Sequence, residues 1–255
     1  MSEPVDLVER LRAIGIRASR DSIDAWLTLA TKSKNSPAQL VEQLCELERR
    51  EREARNLARR VKVAALGSPK PLDRFDWHHP RSVDRELYGQ LHDSLEFVRR
   101  GENVLLRGQA GVGKTTLAQN LGNRALEKGF TVRFCTLAAA LADLLRQESI
   151  QATDRRLRRY TTPDLLVLDE LGYVPCDTRA ADLLFQIVSR RHEAKSIVIS
   201  TNLAFKQWNT VFQDASCLGA LVDRFAQHCH TLDIDADSWR HKESLARAKS
   251  RKHKA

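Results

Sequence analysis

Gly108-Gln109-Ala110-Gly111-Val112-Gly113-Lys114-Thr115 decides how this chain is read. The octapeptide satisfies G-x-x-x-x-G-K-[ST] at every required position. Its surroundings also suit the motif: the apolar run NVLLRG (103–108) enters it, and a helix-period segment, Thr115 to Lys128, leaves it. Glycines let backbone N–H groups curl inward around phosphate oxygens with no Cβ in the way. The start of the following helix adds its partial positive charge to the same anion. Gly108, Gln109, Ala110, Gly111, Val112, Gly113, Lys114, Thr115 and Thr116 are therefore the expected nucleotide-binding stretch. Lys114 is expected on the β- and γ-oxygens, and the Thr115 hydroxyl on Mg²⁺. ATP and Mg²⁺ are the implied cofactors.

Downstream segments supply partners for that loop. DLLVLDE ends in Asp169-Glu170, and its uninterrupted apolar run suits a strand covered on both faces. A strand ending at the carboxyl edge of a parallel sheet faces the ligand crevice. Asp169 is expected to hold Mg²⁺, and Glu170 to act as general base on the attacking water. SIVIST ends in Ser200-Thr201-Asn202, placing a polar group beside the γ-phosphate, with Asn202 able to orient the water. Arg224, in GALVDRF, has two readings: an arginine finger reaching a neighbouring subunit's γ-phosphate, or one half of an intrachain pair with Asp223.

The elements around these motifs alternate: NVLLRG, a helix closed by Gly129, TVRFCT, the helix LAAALADLLRQE, DLLVLDE, a helix around ADLLFQIVSRRHE, SIVIST and HTLDID. The predicted fold class is α/β, a parallel sheet flanked by helices, preceded by a small all-helical N-terminal domain. In that domain Leu7, Val8, Leu11 and Ile14 recur at helical spacing, as do Ile23, Trp26, Leu27 and Ala30. A third helix starts at Ser36-Pro37, with Gln39 completing a capping box. The expected organisation is 1–66 for the helical domain that binds a partner or DNA, 67–83 for a linker, 84–240 for the nucleotide-binding domain and 241–255 for a basic tail. Pro69, Pro71 and Pro80 make the linker extended, packing on the next domain through Phe75 and Trp77.

Composition narrows the class further. A net charge of +9 over 255 residues points to a polyanionic partner. The five cysteines show no CxxC spacing, which reads as reduced thiols. The acidic N-terminus resembles no secretory signal, and no apolar run is long enough to span a bilayer, so a cytoplasmic protein without a membrane partner is expected. His78-His79 and His228-Cys229-His230 lack metal-ligand spacing, and Trp26, Trp208 and Trp239 read as packing residues.

Taken together, the phosphate loop, LLVLDELGYVP, SIVISTN, FKQWNTVFQD, ALVDRF and DSWRHKE, in this order, resemble the IstB-like ATPases, transposition helpers of insertion sequences and kin of the DnaC helicase loaders. The resemblance covers nearly the whole chain. Its more specific elements are LDELGY and W-x-x-x-F-x-D (Trp208, Phe212, Asp214). It implies an AAA+ domain and an ATP hydrolase. Such a protein forms homo-oligomers across shared ATP sites on duplex DNA and assists a cognate transposase; a replicative helicase loader is the alternative. By that likeness Asn202 is the sensor-1 residue, Arg224 the trans-acting finger, and Arg240 falls where a second sensor arginine sits. A P-loop kinase fits less well, because a water-activating Glu170 opposes the exclusion of water that a kinase needs.

Three basic stretches compete for DNA: EREARNLARRVK, the run Arg155, Arg156, Arg158 and Arg159, and the C-terminal tail. The first alternates in sign, as an exposed helix with i,i+4 pairs does. The second would face the central channel of an AAA+ ring or spiral. With no zinc-finger or aromatic RNA-binding motif present, phosphate contacts without strong base readout are expected.

Overall fold

The computed structural model describes residues 6–173, 175–213, 215–239 and 242. The chain falls into two compact units, residues 1–60 and 61–255.

In the first unit the helices are α1 (Leu7–Ala13), α2 (Arg20–Lys32) and most of α3 (Pro37–Ala64). Each begins where a side chain can satisfy an orphan backbone donor. Asp6 accepts from the Val8 amide at 3.1 Å and Ser19 from that of Ser22 at 3.3 Å. Ser36 and Gln39 form the reciprocal pair predicted for α3, at 2.8 and 3.3 Å. Val8, Ala18 and Ile23 are buried together, with Leu11, Ile16, Leu27 and Leu47 packed around them. The first part of the basic tract of α3 is neutralised within the helix: Arg49, Arg50, Arg52 and Arg55 pair with Glu46, Glu48, Glu51 and Glu53.

A five-stranded sheet organises the second unit: β1 (Asn103–Gly108), β2 (Val132–Thr136), β3 (Leu165–Leu171), β4 (Ser196–Thr201) and β5 (Cys229–Ile234). The strand order is β2-β3-β4-β1-β5, and every neighbouring pair is parallel. The helices are α4 (Arg85–Ser94), α5 (Glu96–Arg100), α6 (Lys114–Glu127), α7 (Leu137–Leu145), α8 (Ile150–Thr161), α9 (Thr178–Arg191) and α10 (Leu218–Ala226). Val104–Leu106 of β1 and Leu165–Leu168 of β3 have no exposed surface, as expected for strands covered on both faces. Because all five strands run the same way, the ends of β1, β3 and β4 emerge at one edge, with β4 in the middle. That edge is where ligands meet open parallel sheets.

The residues depart from the sequence expectations in three places. The arginine run 155–159 belongs to a helix of its own, α8, rather than trailing the helix of Leu137–Leu145. Arg224 lies on α10, a helix absent from the elements expected between SIVIST and HTLDID. The linker contains a 3-10 turn at Leu72–Arg74, after which Phe75 packs edge-on to Trp77 at 4.7 Å and Trp77 meets Tyr88 at 5.4 Å. Arg191, at the end of α9, is fully buried. It donates to the carbonyls of Tyr160, Pro163, Asp164 and Ser196 at 2.6–3.0 Å, fixing the turn between α8 and β3. Burial pulls its pKa down to about 9.

Candidate functional site

The loop between β1 and α6 borders a cavity of about 340 Å³. Ala110 to Thr116 form one wall, joined by Ser200, Glu170 and Tyr173. Gly113 caps α6 at φ +100°, a region that L side chains rarely enter, and a Cβ there would lie 2.6 Å from Phe75 Cε2. Gly111 has φ +82°, and its Cβ would collide with the Ser238 hydroxyl. Glycine is thus required twice over, by backbone conformation and by what lies against the loop.

Lys114 is buried, and its Nζ donates to the carbonyls of Gly108 and Gln109 at 2.7 Å each. Those two residues hold the lysine from behind, while Ala110 to Thr116 face the cavity. Thr115 Oγ1 donates to Asp169 Oδ2 at 2.9 Å, joining the start of α6 to the end of β3. Asp169 is only 3% exposed, and its other oxygen accepts from Ser200 Oγ on β4. Ser200 Oγ in turn accepts from the Glu170 amide at 3.0 Å.

Glu170 is exposed although Asp169 and Leu171 beside it are buried. The cause is a bulge: the β3–β4 register shifts between Leu168 and Leu171, and Glu170 adopts φ +65°. For a non-glycine residue this conformation costs on the order of 1–3 kcal/mol. It re-aims the carboxylate out of the strand and into the cavity wall. A hydroxyl and a carboxylate 2.9 Å apart, the hydroxyl's residue lining the cavity, form a hard oxygen donor pair of the kind Mg²⁺ accepts.

The far wall comes from the linker and from the segment after β5. Lys70, Pro71, Arg74, Phe75, Asp76 and His79 line it, together with Trp239. Trp239 stacks edge-on against His79 at 4.8 Å, and its amide donates to the Gly111 carbonyl at 3.0 Å. The two segments are clasped together. Arg81 pairs with Asp235 at 2.9 Å and Asp237 at 3.2 Å, the Arg81 amide donates to the Asp235 carbonyl, and His79 bonds the Asp237 carbonyl. Sequence reasoning gave Trp239 to packing alone. The aromatic triplets Phe75-Asp76-Trp77 and Asp237-Ser238-Trp239 were visible, but nothing local says that they meet.

Other expected residues stand apart from the cavity. Asn202 is exposed beyond the end of β4, next to Gly172, whereas Ser200 reaches the site. Arg224 is half-buried, with its guanidinium 4.9 Å over the Phe185 ring and donating to Ser189 on α9. Among the described residues it forms no ion pair with Asp223. Arg156 makes a two-pronged contact with Asp143 of α7 and Arg159 lies 3.9 Å from that carboxylate, while Arg155 and Arg158 are exposed. Arg156 holds the Asp143 carboxyl below the usual range, and burial raises the Tyr160 phenol that also donates to it. Trp208 is fully buried and packs, as expected, against the partly buried Phe205 and the buried Phe225. Arg240, Asp214 and residues 243–255 lie outside the described residues. No described helix is long and apolar enough to cross a membrane.

The parallel sheet, phosphate loop and carboxylate at the end of β3 define a P-loop nucleotide-binding protein of AAA+ fold. The chain belongs to the family of IstB-like ATP binding proteins, whose model matches residues 10–247. Two relatives are each 34% identical to it. One, from Pseudomonas aeruginosa, carries the name of an ATP-binding protein of insertion sequence IS21; the match covers 87% of this chain and 83% of that protein. The other, from Bacillus thuringiensis, is named for insertion sequence IS232 and matches over 84% and 87%. The fold is similar to the crystal structure of DnaI (TM-score 0.54, 17% identity, 68% of this chain and 93% of that one). It is also similar to AMPPCP-bound DnaA of Aquifex aeolicus (TM-score 0.50, 21% identity, 65% and 50%).

Proposed function

We propose that this protein is an ATP hydrolase that assembles on duplex DNA and assists the transposase of an insertion sequence. One observation carries the hydrolytic part: Thr115, Asp169, Ser200 and Glu170 form a continuous hydrogen-bonded chain across α6, β3 and β4 at the cavity wall. Lys114 would neutralise the β- and γ-phosphates, drawn from the loop carbonyls it now contacts. Thr115 and Asp169 would hold Mg²⁺, which neutralises charge developing on the phosphate oxygens. Ser200 keeps Asp169 and Glu170 in register, and Glu170 would take the proton of the attacking water. Asn202, which stands outside the cavity beyond the end of β4, would orient that water only after turning inward, and Arg224 would complete a neighbour's site once freed from Ser189 and Phe185. Relatives named for insertion sequences favour a transposase as client over a replicative helicase, with residues 1–66 as the segment that engages it and 84–240 as the ATPase domain.

The test is turnover of the Glu170→Gln protein. ATP affinity is expected to stay within about threefold, while phosphate release falls by about 10²–10⁴-fold. Sedimentation with duplex and a non-hydrolysable analogue is expected to show a larger assembly than either ligand gives alone. Normal phosphate release by Glu170→Gln would remove Glu170 from the role of base.

A further inference from the structure

Residues 66–75 run back along α6, against its chain direction. Leu66 is buried on Gly122, where a Cβ would come within 2.9 Å of the Leu66 Cδ2, and Gln119 donates to the Leu66 carbonyl at 2.9 Å. The next residue of α6, the buried Asn120, gives its side-chain amide to two carbonyls, that of Lys70 at 2.9 Å and that of Thr116 at 2.8 Å. Phe75 then lies on Gly113, which caps the helix. A segment with an extended sequence is thus fastened over about two and a half helical turns. The fastening carries Lys70 and Arg74 to the cavity, on the wall facing residues 110–116. Both side chains are exposed and, among the described residues, form no ion pair, whereas Arg81 farther along the linker is taken up by Asp235 and Asp237. Lys114 is the one other lysine or arginine among the described residues that line this cavity.

We infer that Lys70 and Arg74 are nucleotide-binding residues that hold the phosphate nearest the ribose, and that Asn120 is the positioning residue that brings them there. This deepens the reading above and rests on ATP occupying the cavity. A triphosphate with one Mg²⁺ stays negative after a single lysine is in place, so two unpaired cations on the facing wall meet an unmet charge. Glu170 and Ser200 mark where the terminal phosphate is attacked. Asn120 ties Lys70 beside Thr116, one residue beyond the Mg²⁺-holding hydroxyl, so the linker cations approach from the far wall toward the phosphates that are not under attack. Contacts of that kind are the same in ATP and ADP, and the same before and during the chemical step. They set affinity and leave turnover alone.

The test is isothermal titration of the full-length protein with a non-hydrolysable ATP analogue and with ADP, beside steady-state phosphate release. Lys70→Gln/Arg74→Gln is expected to weaken both nucleotides by about tenfold, less at high salt, and to raise KM by a similar factor with kcat within about twofold. Lys70→Arg/Arg74→Lys, which keeps the charge, is expected to restore affinity. Asn120→Ala is expected to reproduce most of the loss, and to add almost nothing when combined with the double glutamine variant, because residues that act through one another are not additive. Wild-type affinity for both nucleotides in Lys70→Gln/Arg74→Gln overturns the inference, and weakened duplex binding in that variant would then make the pair DNA contacts. A loss confined to the ATP analogue also overturns it, by placing the cations on the γ-phosphate. Full additivity of Asn120→Ala removes its positioning role. If the wild-type protein binds no ATP, the reading under Proposed function falls first; if it binds ATP and the double variant binds equally well, only the role of the linker cations falls.

Discussion

The two walls of the cavity are built on opposite principles. One is a contiguous loop, Ala110 to Thr116, backed by side chains at the ends of two adjacent strands; every contact follows from sheet order and register. The other brings Phe75 and His79 together with Trp239, more than 150 residues later, and holds them through the Arg81 clasp on Asp235 and Asp237. The first wall carries chemistry that tolerates few residue types. The second carries shape, for which many aromatic or aliphatic side chains would serve. The walls meet at two glycines, where Phe75 lies on Gly113 and Ser238 on Gly111.

The sharpest way to break this division is at that meeting point. Gly113→Ala adds a Cβ in a left-handed conformation and against the Phe75 ring, and ATP affinity is expected to fall on the order of 10²-fold. Isothermal titration of Gly113→Ala, Phe75→Ala and the double variant measures the coupling. Partial rescue in the double is expected, because only the collision, not the backbone strain, is relieved. Strict additivity would mean that the far wall does not bear on the loop.

Within the first wall, Ser200→Ala leaves the buried Asp169 with one partner fewer and the Glu170 amide unsupported. Turnover is expected to drop about tenfold, the scale of one hydrogen bond to a charged group, with ATP affinity nearly unchanged. Steady-state phosphate release against nucleotide titration separates the two quantities. An equal loss in both would make Ser200 part of nucleotide binding rather than of the catalytic alignment.

The smallest effect is expected in the clasp. Arg81 is exposed, and its pairs are screened by salt. Arg81→Gln is expected to weaken ATP binding a few-fold at low salt, the difference from wild type vanishing near 1 M. A deficit that persists at high salt would show that the backbone pairing of Arg81 and Ser82 with Asp235, rather than charge, depends on this residue.

Much of the molecule was legible residue by residue. The Ser36–Gln39 capping box, the five strands and the loop-to-helix transition at Gly113-Lys114 are local consequences of side-chain type and period. The helix α8 was missed because its arginines read only as one of three basic stretches, whereas its alignment depends on Asp143 in a different helix. That Ser200 rather than Asn202 lines the cavity was hidden for a similar reason: both are small polar residues at a strand end, and only the register opposite Leu106 and the bulge at Glu170 choose between them.

The sequence by itself determined the parallel α/β class, the phosphate loop and the acidic pair that answers it, because each depends on residue types at fixed spacing along one stretch of chain. Tertiary structure alone decided that Trp239 faces His79, that Arg156 is spent on Asp143 while Arg155 and Arg158 face outward, and that Glu170 leaves its strand. Those outcomes depend on which distant segments share an edge or a helix face, and spacing along the chain carries no record of that.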